Sequence, residues 1–196
     1  MKRNQKEQLL SMVEGAIMLA LAVALDYLCK LIPFEWPFGG GITVAAIPLI
    51  YYTLRRGTAW GLGAGFVYAV LQIVTGWYAP PAGTLGALVA CVLLDYFIAF
   101  SAVGLASLIA RPFGNHRLLG FGVACAGVHL VRFAASFLSG GILWASTAPE
   151  SFNPWVWSLY YNGSYMFFNA IICTVLTVLL CAALDPKTLR PISRKI

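Results

Sequence analysis

Arg132-Phe133-Ala134-Ala135-Ser136-Phe137-Leu138-Ser139-Gly140-Gly141-Ile142-Leu143-Trp144, followed by Ala148-Pro149 and then Trp157-Ser158-Leu159-Tyr160-Tyr161-Asn162-Gly163, gathers an arginine, several aromatic rings and an amide around one loop. Nearly uninterrupted apolar residues flank the stretch on both sides. A guanidinium and a carboxamide set into such walls are costly in a bilayer, and they mark a ligand site before anything else.

Composition carries that reading outward. Hydrophobic residues make up 60% of the 196-residue chain and charged residues only 10%, which lies outside the soluble range and points to an all-α integral membrane bundle. No polar stretch is long enough to fold alone, so residues 1–196 read as a single transmembrane domain. The first apolar run opens near Leu9 after a basic start, with no small-residue cleavage site behind it. It is expected to stay as a helix. The net charge of +6 does not imply nucleic acid, because the cations stand between apolar spans, where topology explains them. Cys29, Cys91, Cys125, Cys173 and Cys181 show no CxxC spacing and read as small buried hydrophobes.

Six apolar segments suit a bilayer crossing of about 20 residues: Gln8–Leu28, Ile42–Leu54, Ala59–Thr75, Gly83–Ile109, Leu118–Leu143 and Trp155–Leu184. The second is short and carries Pro48, which predicts a tilted, broken or partly re-entrant segment. With both termini cytoplasmic, 11 of the 13 basic residues fall inside, and only Lys30 and Arg132 lie elsewhere. That asymmetry is the positive-inside signature. The outer connections are then Lys30–Gly41, Gly76–Ala82 and Trp144–Pro154, rich in Trp, Tyr, Pro and Gly. Interfacial preference alone accounts for many of these aromatics. Their concentration on one face, with Gly39-Gly40-Gly41 as a hinge, predicts an aromatic-lined mouth anchored by Trp36 and Trp144.

Asp95 lies about 12 residues into the fourth span and Arg132 about 12 before the outer end of the fifth, so both sit roughly 18 Å deep. Two readings stay open: an Asp95–Arg132 ion pair, or Asp95 facing a cationic ligand. His129, Arg132, Ser136 and Gly140 share one helix face, and His129 is expected to bond a neighbouring backbone group. Trp157, Tyr161 and Asn162 lie near the outer end of the sixth span, where an amide suits a heteroaromatic ring edge. Ala16, Ala20 and Ala24 recur every four residues on the first span, a small-residue stripe for close helix approach. Glu14 and Asp26 are expected near that span's ends. The sequence holds no Walker A loop, HExxH, zinc spacing or nucleophile elbow. No catalysis, cofactor or metal is expected.

Leu94-Asp95-Tyr96 with Ala99-Phe100 and Gly104-Leu105-Ala106 resembles the fourth helix of the ThiT (YuaJ) thiamine transporters, the substrate-binding S components of energy-coupling factor transporters. The Arg132–Trp144 run, Ala148-Pro149, Pro154 and Ser158–Gly163 resemble that family's fifth helix, outer loop and sixth helix. The likeness extends over all six spans, the Arg55-Arg56-Gly57 turn included. It implies a pocket for thiamine, open to the outside and closed by the first outer loop, with no chemistry of its own. By resemblance, Asp95 and Tyr96 contact the ligand, Trp36 stacks on it, and Arg132, Trp144, Trp157 and Asn162 complete the wall. Ala16, Ala20 and Ala24 would dock onto a transmembrane coupling subunit resting on two ATPases, in the bacterial cytoplasmic membrane. Ser136 stands where the family has a histidine, and Asp95 where its best-known pattern has Glu. A thiamine precursor or another cationic heteroaromatic is the alternative ligand. A stand-alone secondary transporter is the rival class; it predicts internal repeats that the sequence does not display.

Overall fold

The computed structural model describes residues 3–31, 40–185 and 189. The described residues form an all-helical bundle: α1 (Arg3–Lys30), α2 (Ala46–Arg56), α3 (Thr58–Thr75), α4 (Leu85–Phe113), α5 (Arg117–Ile142) and α6 (Pro154–Ala182). All except α2 are long and apolar enough to cross a bilayer.

The second segment departs from the span drawn on the sequence. Residues 42–45 are not helical, and α2 runs only 11 residues, about 16 Å of rise against a hydrocarbon core of about 30 Å. Pro48 explains part of this. It sits in the first turn of α2, where its missing N–H costs no hydrogen bond. No residue of α2 is exposed, and Leu49, Ile50, Tyr52 and Thr53 are almost wholly enclosed. α2 is therefore the bundle's core, wrapped by α1, α3, α4 and α6.

Polar residues fix the turn that follows α2. Arg55 Nε lies 3.0 Å from Glu14 Oε1, and Arg56 Nε donates to Glu14 Oε2 at 2.5 Å. Glu14 thus stands well inside α1, opposite the Arg55-Arg56-Gly57 turn, rather than near the end of its span. Charge on that turn is matched by a half-buried carboxylate on α1.

α3 and α4 meet backbone to backbone. A Cβ on Gly65 would come within 2.6 Å of the Phe100 carbonyl oxygen, and one on Gly104 within 2.5 Å of the Leu62 nitrogen. Such close approach is how small residues pack membrane helices where the hydrophobic effect offers no drive. α5 and α6 form the most extensive antiparallel pair. Their connection begins α6 with Asn153, whose side chain accepts from Trp155 N at 2.9 Å, and Pro154 at the first helical position.

Candidate functional site

α4 is irregular where it matters. Its hydrogen bonding opens into a π-helix over Val92–Ile98 and tightens into a 3₁₀ turn over Ala102–Leu105. π segments inside α-helices concentrate at functional sites, and Asp95 and Tyr96 stand in the middle of this one. Beside them lies a cavity of about 370 Å³, within the range of small-molecule sites. Asp95, Tyr96, Arg132, Ser136, Trp144, Trp157 and Asn162 all line it. Trp36 lies outside the described residues.

The Asp95 carboxylate is oriented from α5 and the loop after it. Its Oδ2 accepts from Ser139 Oγ at 2.5 Å, Trp144 Nε1 at 3.4 Å and Cys91 Sγ at 3.4 Å. All three bonds converge on one oxygen. Oδ1 keeps its lone pairs for whatever enters, since an ionised carboxylate only accepts. Tyr96 uses its hydroxyl differently: it donates to Gly76 O at 3.2 Å and accepts from Tyr78 N at 3.1 Å, while its ring stacks on Trp77. That fastens the 76–78 connection over the cavity mouth.

Arg132 forms no ion pair with Asp95, which corrects one of the two sequence readings. The common-layer estimate assumed helices ending in one plane. Asp95 instead meets Ser139, seven residues and about 10 Å farther along α5. The Arg132 guanidinium stacks over Phe100 with its carbon 5.0 Å from the ring centroid. His129 bonds the Cys125 carbonyl through Nδ1 at 2.9 Å, as the sequence suggested, and does not line the cavity.

Asn162 is more builder than reader in this structure. Its Nδ2 donates to Ser136 O, Ser158 O and Ser158 Oγ, each at 3.2 Å, and its Oδ1 accepts from Tyr165 at 2.9 Å. The amide joins α5 to α6 in the cavity wall. Gly140 permits this, because a methyl there would run into Ser158 and Asn162. Trp157 packs against Phe152, Tyr160 and Tyr161, and Tyr161 takes the Gly40 N–H at 3.3 Å.

Two polar clusters escaped the sequence reading. Asp26 is buried, and its carboxylate takes Thr43 Oγ1 at 3.1 Å, Gln72 Nε2 at 3.0 Å and Lys30 Nζ at 2.9 Å. Asn169 clamps the chain entering α2: its Oδ1 accepts from Thr43 N at 2.8 Å and its Nδ2 donates to Gly41 O at 3.0 Å. Both clusters reach the cavity wall. The available signal was an amide set in an apolar span, Gln72 in the third and Asn169, seven residues beyond Asn162, in the sixth.

Ala16, Ala20 and Ala24 are all exposed along α1, while Ser11, Gly15, Ala22 and Asp26 form its buried side. Among the described residues, no group of three or more His, Cys, Asp or Glu side chains could hold a metal. The cavity pairs a fixed carboxylate with aromatic faces and, at a distance, an unmatched guanidinium. That is binding chemistry.

The family model described as thiamine transporter protein (Thia_YuaJ) matches residues 12–189. The thiamine transporter ThiT of Bacillus subtilis (strain 168) is 31% identical over 185 residues, covering 90% of this chain and 93% of that protein. The thiamine transporter ThiT of Lacticaseibacillus paracasei is 32% identical over 197 aligned positions, covering 92% of this chain and 89% of that one. A solved structure of ThiT from Listeria monocytogenes has the same fold, with a TM-score of 0.73 at 18% identity over 94% of this chain and 100% of that one.

Proposed function

The chain belongs to the Thia_YuaJ family of thiamine transporters, and from that premise we propose that it is the substrate-binding S component of an energy-coupling factor transporter. The family is one of transporters, not enzymes, and this chain is a multi-pass protein of the cell membrane. In this reading both termini are cytoplasmic, which keeps 11 of the 13 basic residues inside. The cavity, bordered by the 40–43 and 76–78 segments and by Trp144, then opens outward.

Its ligand is thiamine or a close analogue. The observation that carries this is Asp95, with Oδ2 held by three donors and Oδ1 turned over to the ligand beside Trp144 and Tyr96. A thiazolium cation gains from both the carboxylate and the rings; a desolvated cation over Trp is worth about 2 kcal/mol. An aminopyrimidine edge finds hydroxyl partners along α5 and α6. Ser136, where the family resemblance sets a histidine, favours a second reading: a thiamine precursor or another cationic heteroaromatic with more bulk at that point.

Transport then depends on other chains. The exposed stripe of Ala16, Ala20 and Ala24 suits close docking of a transmembrane coupling subunit, and two ATPases beneath it drive uptake. Titrating the purified protein with thiamine should quench its tryptophan fluorescence. A flat titration at micromolar thiamine sinks the thiamine assignment and leaves the S-component reading to the docking test described below.

A further inference from the structure

Arg132 is 8% exposed, yet among the described residues it makes no hydrogen bond and no ion pair. Its Nε is enclosed without any acceptor, and its described contact is the face of Phe100. Removing a guanidinium from water without a counter-ion carries a large desolvation penalty, and one aromatic face returns only part of it. The side chain lines the cavity, so a bound ligand can reach it.

The other charges on the cavity wall each have protein partners. Asp26 pairs with Lys30. Asp95 is held by Ser139, Trp144 and Cys91, about 10 Å farther along α5 than Arg132. The fold thus keeps a carboxylate and a guanidinium apart at two levels of one cavity instead of joining them. A simple cation would be attracted by one and repelled by the other.

We propose that the Arg132 end of the cavity is an anion subsite, and that the preferred ligand is a heteroaromatic cation that also bears a phosphate or carboxylate group. This rests on the vitamin-binding reading and narrows its ligand class. Arginine's planar fork suits such groups, because it presents two parallel donors to two oxygens. Ser136, one helical turn farther out on the same face of α5, brings a hydroxyl to the same wall.

Calorimetric titration of the full-length protein in phosphate-free buffer tests this, with three probes: thiamine, thiamine monophosphate, and the analogue whose hydroxyethyl tail is oxidised to a carboxymethyl group. At least one anion-bearing probe should bind the native protein ten-fold or more tighter than thiamine, and which one does so identifies the anion. Arg132→Met should collapse that ratio to one or less, and Arg132→Lys should leave an intermediate ratio. Thiamine binding as tightly as, or tighter than, both anionic probes overturns the inference while the vitamin reading stands. A ratio that survives in Arg132→Met overturns it as well. If no probe binds the native protein, both readings fall together. Should Arg132→Met not fold, the native ratio and Arg132→Lys decide.

Discussion

Ser139 Oγ donates to Asp95 Oδ2 at 2.5 Å, joining the π-helical part of α4 to the C-terminal end of α5. Ser139 is fully enclosed, so the bond is shielded from competing water. It fixes which oxygen of Asp95 faces the cavity. Asp95→Asn retains the Ser139 bond but removes the charge, and should weaken thiamine binding by 100-fold or more, about 3 kcal/mol. Ser139→Ala should cost about ten-fold by freeing the carboxylate to turn. Fluorescence titration measures both, and normal binding by Asp95→Asn would refute the carboxylate's role.

Gly140→Ala should destabilise the bundle by about 1–3 kcal/mol through overpacking, since its methyl meets Ser158 and Asn162. Thermal melting of the detergent-solubilised protein reads the effect. Combining it with Ser158→Ala should recover part of the loss, because the two sites share one contact. Additive losses would mean that the helices separate instead.

Asn169→Leu should leave the Thr43 N–H and Gly41 C=O without their partners, at about 1–3 kcal/mol for each buried group. Amide exchange at residues 41–43 should accelerate, and ligand should dissociate faster. Asn169→Asp keeps the acceptor for Thr43 N–H and loses only the donor, so its exchange should fall in between. Unchanged exchange in Asn169→Leu would show that another group holds this segment.

Ala20→Phe places a bulky ring in the exposed stripe of α1. Equilibrium ligand binding by the purified chain should be unaltered, while uptake in cells carrying the coupling proteins should be lost. Full uptake in this variant would move the docking face elsewhere.

The helices and their order were legible because apolar runs of membrane length leave few alternatives. Asp95 and Arg132 stood out because charge in such runs is rare. Their relation was not legible, since helix register depends on where each helix ends. α4 begins at Leu85 and α5 ends at Ile142, and that offset sets Asp95 against Ser139. The π turns around Asp95 have no sequence signature of their own; they lie where α4 packs on α3 and α5. Asp26 and Asn169 were missed for another reason. Apart from Lys30, their partners are backbone groups and side chains more than a dozen residues away, which local patterns cannot reveal.

α2 has no exposed residue and is too short to bridge the hydrocarbon core. It has no means of holding a place in a bilayer alone, so it must enter with its neighbour α3, one residue away across Gly57, and be enclosed as later helices arrive. Until α6 is inserted, the non-helical 42–45 segment lacks Asn169 and faces the membrane with bare peptide groups. Biogenesis is therefore not complete until the last helix is delivered. A chain truncated before α6 should be recognised as unfinished by membrane quality control, even though four long hydrophobic helices are already in place.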